Sequence, residues 1–206
     1  SPGTFNGTAR FVAGCALRFD ASASVPLNLA AGPNIWLFHP DSAAPWAEFQ
    51  VYNIATNVWA NASQAGGAFN AAGLSGVLAA QWTTDAAIAH PCTILNPTVS
   101  DNFIYLTGNA ATFVYRYTIS TGTVAAMTAH AATAGPGCTL VWLPANPDRI
   151  FYQRGNATNT WEYYGIAGNN WTTVTPVPNT DTYTTGTAMI GDIVRDLLIV
   201  RKSAIA

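Results

Sequence analysis

Asp101–Val124 reads DNFIYLTGNAATFVYRYTISTGTV, and the chain writes it again, loosened, as DRIFYQRGNATNTWEYYGIAGNNW, Asp148–Trp171. Without a gap, Asp101 falls on Asp148, Tyr105 on Tyr152, Gly108-Asn109 on Gly155-Asn156, Tyr117 on Tyr164, Ile119 on Ile166 and Val124 on Trp171. A repeat in the forties suits helical arrays and four-stranded units alike, so the residues inside it must decide. Phe103-Ile104-Tyr105, Phe113–Tyr117 and Trp161–Tyr164 are short aromatic and β-branched runs, broken by Gly108-Asn109, Gly122 and Gly168-Asn169-Asn170. Such runs are strands between turns, because an ordinary helix needs ten or so residues free of breakers.

A hairpin signature extends the repeat to the start of the chain. Tyr52-Asn53-Ile54 to Trp59, Tyr117-Thr118-Ile119 to Val124 and Tyr164-Gly165-Ile166 to Trp171 share Tyr-x-Ile, a polar stretch, then Trp or Val. The spacing predicts tyrosine and isoleucine on one face, a chain reversal, and a tryptophan that opens the next strand and packs back. Asn34–Phe38 and Glu48–Tyr52 take the places of the Phe103 and Val114 strands. A fourth unit begins near Gly186, with Arg195–Val200 falling 47 residues after Asp148–Gln153.

The three cysteines recur with the repeat: Gly14-Cys15-Ala16-Leu17, Pro91-Cys92-Thr93-Ile94 and Gly137-Cys138-Thr139-Leu140. One shared position reads as a small buried side chain on an inner strand rather than a disulfide or metal ligand. No CxxC spacing exists, and His39, His90 and His130 lie far apart, so no metal site is expected.

The pattern of a Gly-small-hydrophobic strand, an Asp-x-Ile-Tyr strand ending in Gly-Asn, and the Tyr-x-Ile hairpin resembles Kelch-type β-propeller blades. The likeness is greatest to the degenerate blades of bacteriophage virion and secreted proteins. The resemblance implies an all-β chain, a single propeller-like domain over 1–206 built as an array of four-stranded antiparallel blades. About three and a half blades are expected, at 10–63, 88–128, 136–176 and, incomplete, 185–206, with 61–89 as an insertion. Propellers usually close with four to eight blades. Closure by Ser1–Val12, assembly from several chains, and a longer polypeptide are the three ways to complete such a ring.

Half of the 206 residues are hydrophobic, yet only 9% are charged, against about 25% in an average domain. A net charge of −2 and a single lysine, Lys202, leave no footprint for nucleic acid or an anionic membrane, so neither partner is expected. No apolar run is long enough for a spanning helix. The chain begins at Ser1 rather than methionine, so processing, trimming or a partial sequence is expected, with a removed signal segment among the alternatives. The motifs of serine hydrolases, phosphate loops, zinc proteases and calcium loops are missing from the sequence. Asp101 and Asp148 read as turn-closing residues rather than an acid–base pair. Four N-x-S/T sequons, at Asn6, Asn61, Asn156 and Asn170, are expected from the abundance of asparagine and threonine in turns.

Trp46, Trp82, Trp142 and Trp161 fall outside the hairpin packing position and are the candidates for an interface or for stacking on sugar rings. No catalytic or cofactor-binding residue is expected. The functional expectation is a non-enzymatic structural module of a virion, associated with a phage capsid or tail, or of an extracellular assembly. Its partners are other subunits of a multimer. The alternative is a secreted glycan-binding propeller module or carbohydrate-active enzyme, which a cluster of carboxylates and tryptophans would favour.

Overall fold

At Tyr52, Tyr117 and Tyr164 the chain reverses in the same way. The computed structural model describes residues 16–20, 33–40, 47–61, 92–95, 102–107, 112, 114–120, 123–135, 138–155, 157–174, 188–192 and 194–201. Across the three hairpins Tyr52 lies opposite Trp59, Tyr117 opposite Val124 and Tyr164 opposite Trp171. In the first and third, the tyrosine hydroxyl donates to the side-chain oxygen of an asparagine in the turn, Asn57 at 2.6 Å and Asn169 at 2.7 Å. Both asparagines are left-handed, with φ of 56° and 46°, a conformation that asparagine tolerates better than most residues.

These hairpins belong to antiparallel sheets, and the described residues contain no helix. The first sheet runs in order through β1 (Ala16–Asp20), β2 (Asn34–Pro40), β3 (Ala47–Asn53) and β4 (Val58–Asn61). The second runs through β5 (Cys92–Leu95), β6 (Phe103–Thr107), β7 (Val114–Thr118) and β8 (Thr123–Ala126). The third contains β9 (Thr139–Trp142), β10 (Arg149–Gln153), β11 (Trp161–Gly165) and β12 (Asn170–Val174). A last pair, β13 (Ala188–Asp192) and β14 (Leu197–Arg201), forms a two-stranded sheet. The opening strands adjoin in succession, β1 beside β5, β5 beside β9 and β9 beside β13, so the sheets stack face to face. The expected insertion over 61–89, apart from Asn61 in β4, and the expected closing segment Ser1–Val12 lie outside the described residues.

The structure shifts the expected alignment by one residue. Asn102, not Asp101, is the counterpart of Asp148. The carbonyls of Asn102 and Asp148 accept from the amides of Ile119 and Ile166, and their side-chain oxygens accept from the next amides, Ser120 at 2.9 Å and Ala167 at 2.7 Å. Pro33 holds the same place in the first sheet through its carbonyl, which accepts from Ile54, while Asn53 takes over the turn amide of Thr56. The second and third strands then pair Ile35 with Tyr52, Ile104 with Tyr117 and Ile150 with Tyr164. The residue after each isoleucine is Trp36, Tyr105 and Phe151, so Tyr105 corresponds to Phe151 rather than Tyr152.

A swapped cation–π pair supports this register. Arg116 lies 4.5 Å over the Phe103 ring, and at the matching two positions Arg149 lies 4.4 Å over Tyr163. The extra residue is absorbed between β10 and β11, where 154–160 is one longer than 108–113 and turns through left-handed Gly155 and Ala157. The isoleucines of the hairpin motif also differ from expectation: Ile54, Ile119 and Ile166 sit in the turns, not in the strands.

One cysteine likewise falls out of step. Cys92 opens β5 opposite Thr107, whereas Thr139, not Cys138, opens β9 opposite Gln153. Cys138 is buried just ahead of β9, and Cys15 lies outside the described residues.

Candidate interaction surface

Of the four tryptophans selected from sequence, Trp46 and Trp82 lie outside the described residues. Trp142 and Trp161 are both only 6% exposed and are not brought together. Trp142 packs toward the second sheet, and its indole N–H donates to the Pro147 carbonyl at 3.1 Å. Trp161 packs on the opposite face of the third sheet, with Val141, Leu143 and Met189. Both rings are therefore core, and neither offers a face to a sugar or a partner.

The contact between successive sheets is aromatic and repeats. Trp36 of β2 meets Tyr117 of β7 with ring centroids 5.8 Å apart, and Tyr105 of β6 meets Tyr164 of β11 at 6.1 Å. The residue after the isoleucine thus points forward to the next sheet, while the Ile–Tyr pair receives the aromatic of the sheet before. Aromatic pairs of this geometry add about 0.5–1.5 kcal/mol beyond the area they bury. Around the second contact, Trp171 and Tyr152 pack edge to face, and the Trp171 indole N–H donates to the Thr128 carbonyl at 2.8 Å. The Thr128 amide in turn donates to Asn169, tying the linker after β8 to the last turn of the third sheet. Burial raises the Tyr164 phenol to about 12, so the ring stays neutral at any physiological pH.

Ionisable groups are buried in the same seam. His130, 2% exposed, lies between the rings of Tyr152 and Trp171, at 5.1 and 5.3 Å. Burial holds its imidazole below the ordinary pKa, against a raising effect of the Ala132 backbone, and the Arg154 charge lowers it further. Glu162 sits opposite Tyr152 in the ladder, and its Oε2 is buried with no hydrogen-bond partner among the described residues. Burial pushes the Glu162 carboxyl up, and Arg154 pulls part of that back. The Arg154 guanidinium is itself held by Thr160 Oγ1 at 3.2 Å. Among the described residues no three His, Cys, Asp or Glu side chains gather as a metal site.

The first and last of the described sheets differ from those between them. On the last sheet Met189 and Val200 pack against the third, and Gly191 fits where an added Cβ would lie 2.9 Å from a Leu143 methyl. Alternation turns Ile190 and Ile199 the other way; they lie opposite each other and are 65% and 54% exposed. In the third sheet the cross-strand pair Val141–Phe151 lies on the face that receives β13 and β14. At the other end, the Ile35–Tyr52 pair is half-buried and Ile54 is 41% exposed, whereas Ile104, Tyr117 and Ile119 in the second sheet are at most 1% exposed.

Sequence reasoning passed over Ile190, Ile199, His130, Arg154 and Glu162 as site residues. For the isoleucines a signal existed. Met189-Ile190 and Ile199-Val200 are apolar on both faces, the mark of a strand covered on both sides.

No protein-family model and no curated protein matches the chain. Among solved structures it is similar to a structural genomics protein of unknown function from Bacteroides thetaiotaomicron VPI-5482, with TM-score 0.55 and 11% identity. The match covers 96% of this chain and 40% of that one, so the chain spans less than half the length of its neighbour. At that identity the likeness concerns the fold alone.

Proposed function

We propose that this chain is a run of Kelch-like β-propeller blades serving as a non-enzymatic structural module, in a virion or an extracellular assembly, through protein–protein contacts. Three four-stranded meanders in sequence, with their opening strands adjoining, support the propeller reading. The observation that carries the functional reading is the exposed Ile190–Ile199 pair, on the face of its sheet turned away from the third sheet. An apolar strand pair of this kind is suited to a protein partner rather than to solvent. The glycan-binding alternative is weakened, since two of its four tryptophans belong to the core.

Native mass spectrometry with cross-linking on material from the producing source tests this reading. Recovery in a multi-subunit complex, with cross-links at 188–201, is expected. A free 21.7 kDa chain that binds oligosaccharides would overturn it.

A further inference from the structure

We infer that His130 is an acid-sensitive pin: while its imidazole is neutral the strap 127–135 joins the second sheet to the third, and when the ring takes a proton the strap detaches from the third. The device is the same whichever partner the chain serves. The strap leaves β8 and crosses the seam in the open. Thr128, Ala129, Ala131 and Thr133 are exposed, whereas His130 among them is 2% exposed. On the second-sheet side the amides of Met127 and His130 donate to the carbonyls of Val114 and Thr112, each at 2.8 Å. On the third-sheet side the Thr128 amide donates to Asn169 Oδ1, and its carbonyl accepts from the Trp171 indole, each at 2.8 Å. The Gly135 amide adds a bond to the Arg154 carbonyl at 3.1 Å. Between these ties the His130 ring enters the seam, wedged against Tyr152 and Trp171. No other residue of 123–135 is ionisable.

The seam suits a neutral ring and penalises a charged one. Neither ring nitrogen makes a well-formed hydrogen bond. Burial is the main force against the proton; the Ala132 backbone favours it, and the Arg154 charge opposes it. Thr160 Oγ1 keeps that guanidinium in place. The other titratable groups facing the seam are Tyr105 of β6, Arg116 opposite it on β7, Cys138 ahead of β9, Tyr152 of β10, and Glu162 and Tyr164 of β11. Asp148 acts on Tyr105 and Tyr164, whose phenols burial keeps neutral. Burial also holds Glu162 toward its neutral form, so it is a poor counter-ion in acid. An imidazolium regains water by leaving with the exposed strap. Docking is therefore strongest above the ordinary imidazole range and weakens as pH falls below it, toward the depressed value of the docked ring.

Amide hydrogen exchange of the purified chain between pH 7.5 and pH 4.5, expressed as protection relative to an unstructured chain at each pH, tests this. Protection of 128–135 is expected to fall about tenfold or more, the effect of one pH unit between docked and free values, while β6, β7, β10 and β11 keep theirs. His130→Phe places a ring that does not titrate between Tyr152 and Trp171, and its strap protection is expected to stay constant over the range. His130→Gln is a second variant without a titrating ring should phenylalanine not fit, with circular dichroism at pH 7.5 verifying folding. Glu162→Gln is expected to release its strap as the wild type does. A wild-type strap that is unprotected at pH 7.5, or equally protected at both ends of the range, would overturn the inference. So would the same acid loss in the His130 variants, or a loss that spreads to β6 and β10. An acid response abolished by Glu162→Gln would assign the switch to the carboxyl and overturn it too.

Discussion

Ile104–Tyr117 and Ile35–Tyr52 are the same cross-strand pair in neighbouring sheets, yet the first is at most 1% exposed and the second is half-buried. The strands that carry them are alike. The pair in the second sheet has a neighbour's ring on it: Trp36 of the first sheet packs against Tyr117. Burial here belongs to the stack of sheets rather than to any one sheet, as in other repeat architectures where each unit is walled by the next.

Breaking a covered pair should cost most. Tyr164→Ala removes a fully buried ring from between Tyr105 and Trp171, and about 3–5 kcal/mol of stability should be lost in urea unfolding. Tyr52→Ala in the half-buried pair should cost less, about 1–2 kcal/mol, part of it through the Asn57 hydrogen bond. Equal losses at the two positions would contradict the comparison.

Glu162→Gln probes the seam through pH. The folded chain holds the Glu162 proton more tightly than the unfolded chain does. Stability is therefore present in full below the unfolded pKa and falls as pH rises through the interval up to the folded value. His130 has the opposite sign: its folded pKa is depressed, so stability falls as pH drops below the ordinary imidazole range. The Gln variant should match the wild type near pH 3.5 and gain about 1–2 kcal/mol at pH 7, since it relieves an unsatisfied buried carboxylate. Thermal unfolding at the two pH values checks this.

Asn102→Ala and Asp148→Ala each remove one side-chain bond to a turn amide and should each cost about 1 kcal/mol. Matching losses would affirm that the two residues are counterparts. Smallest of all, Ile199→Ser should change monomer stability by no more than about 0.5 kcal/mol, because the side chain is more than half exposed.

The hairpins were legible because Tyr-x-Ile and Trp stand at fixed spacing around a polar turn, and strand class followed from the same letters. Register was not. In a half-solvated sheet a slip of one residue would move apolar side chains into water, and the alternation would expose it. Here β10 is covered on both faces, Ile150 and Tyr152 toward the second sheet and Phe151 toward the last, so its letters are apolar on either side. Matching Tyr105 to Tyr152 then looks as good as matching it to Phe151. The interaction face was hidden for the same reason. Trp142 and Trp161 draw attention as large rings, but aromatic letters in a strand do not say whether a neighbour covers them. Ile190 and Ile199 resemble any core strand in sequence, and only the structure shows them exposed.

Amide hydrogen exchange tests the central claim most directly. Exchange in β6 and β10, inside the described stack, should be slower than exchange in the matching strand β2 of the first sheet. Equal protection of β2, β6 and β10 would show that burial does not depend on the neighbouring sheet, and would contradict the account.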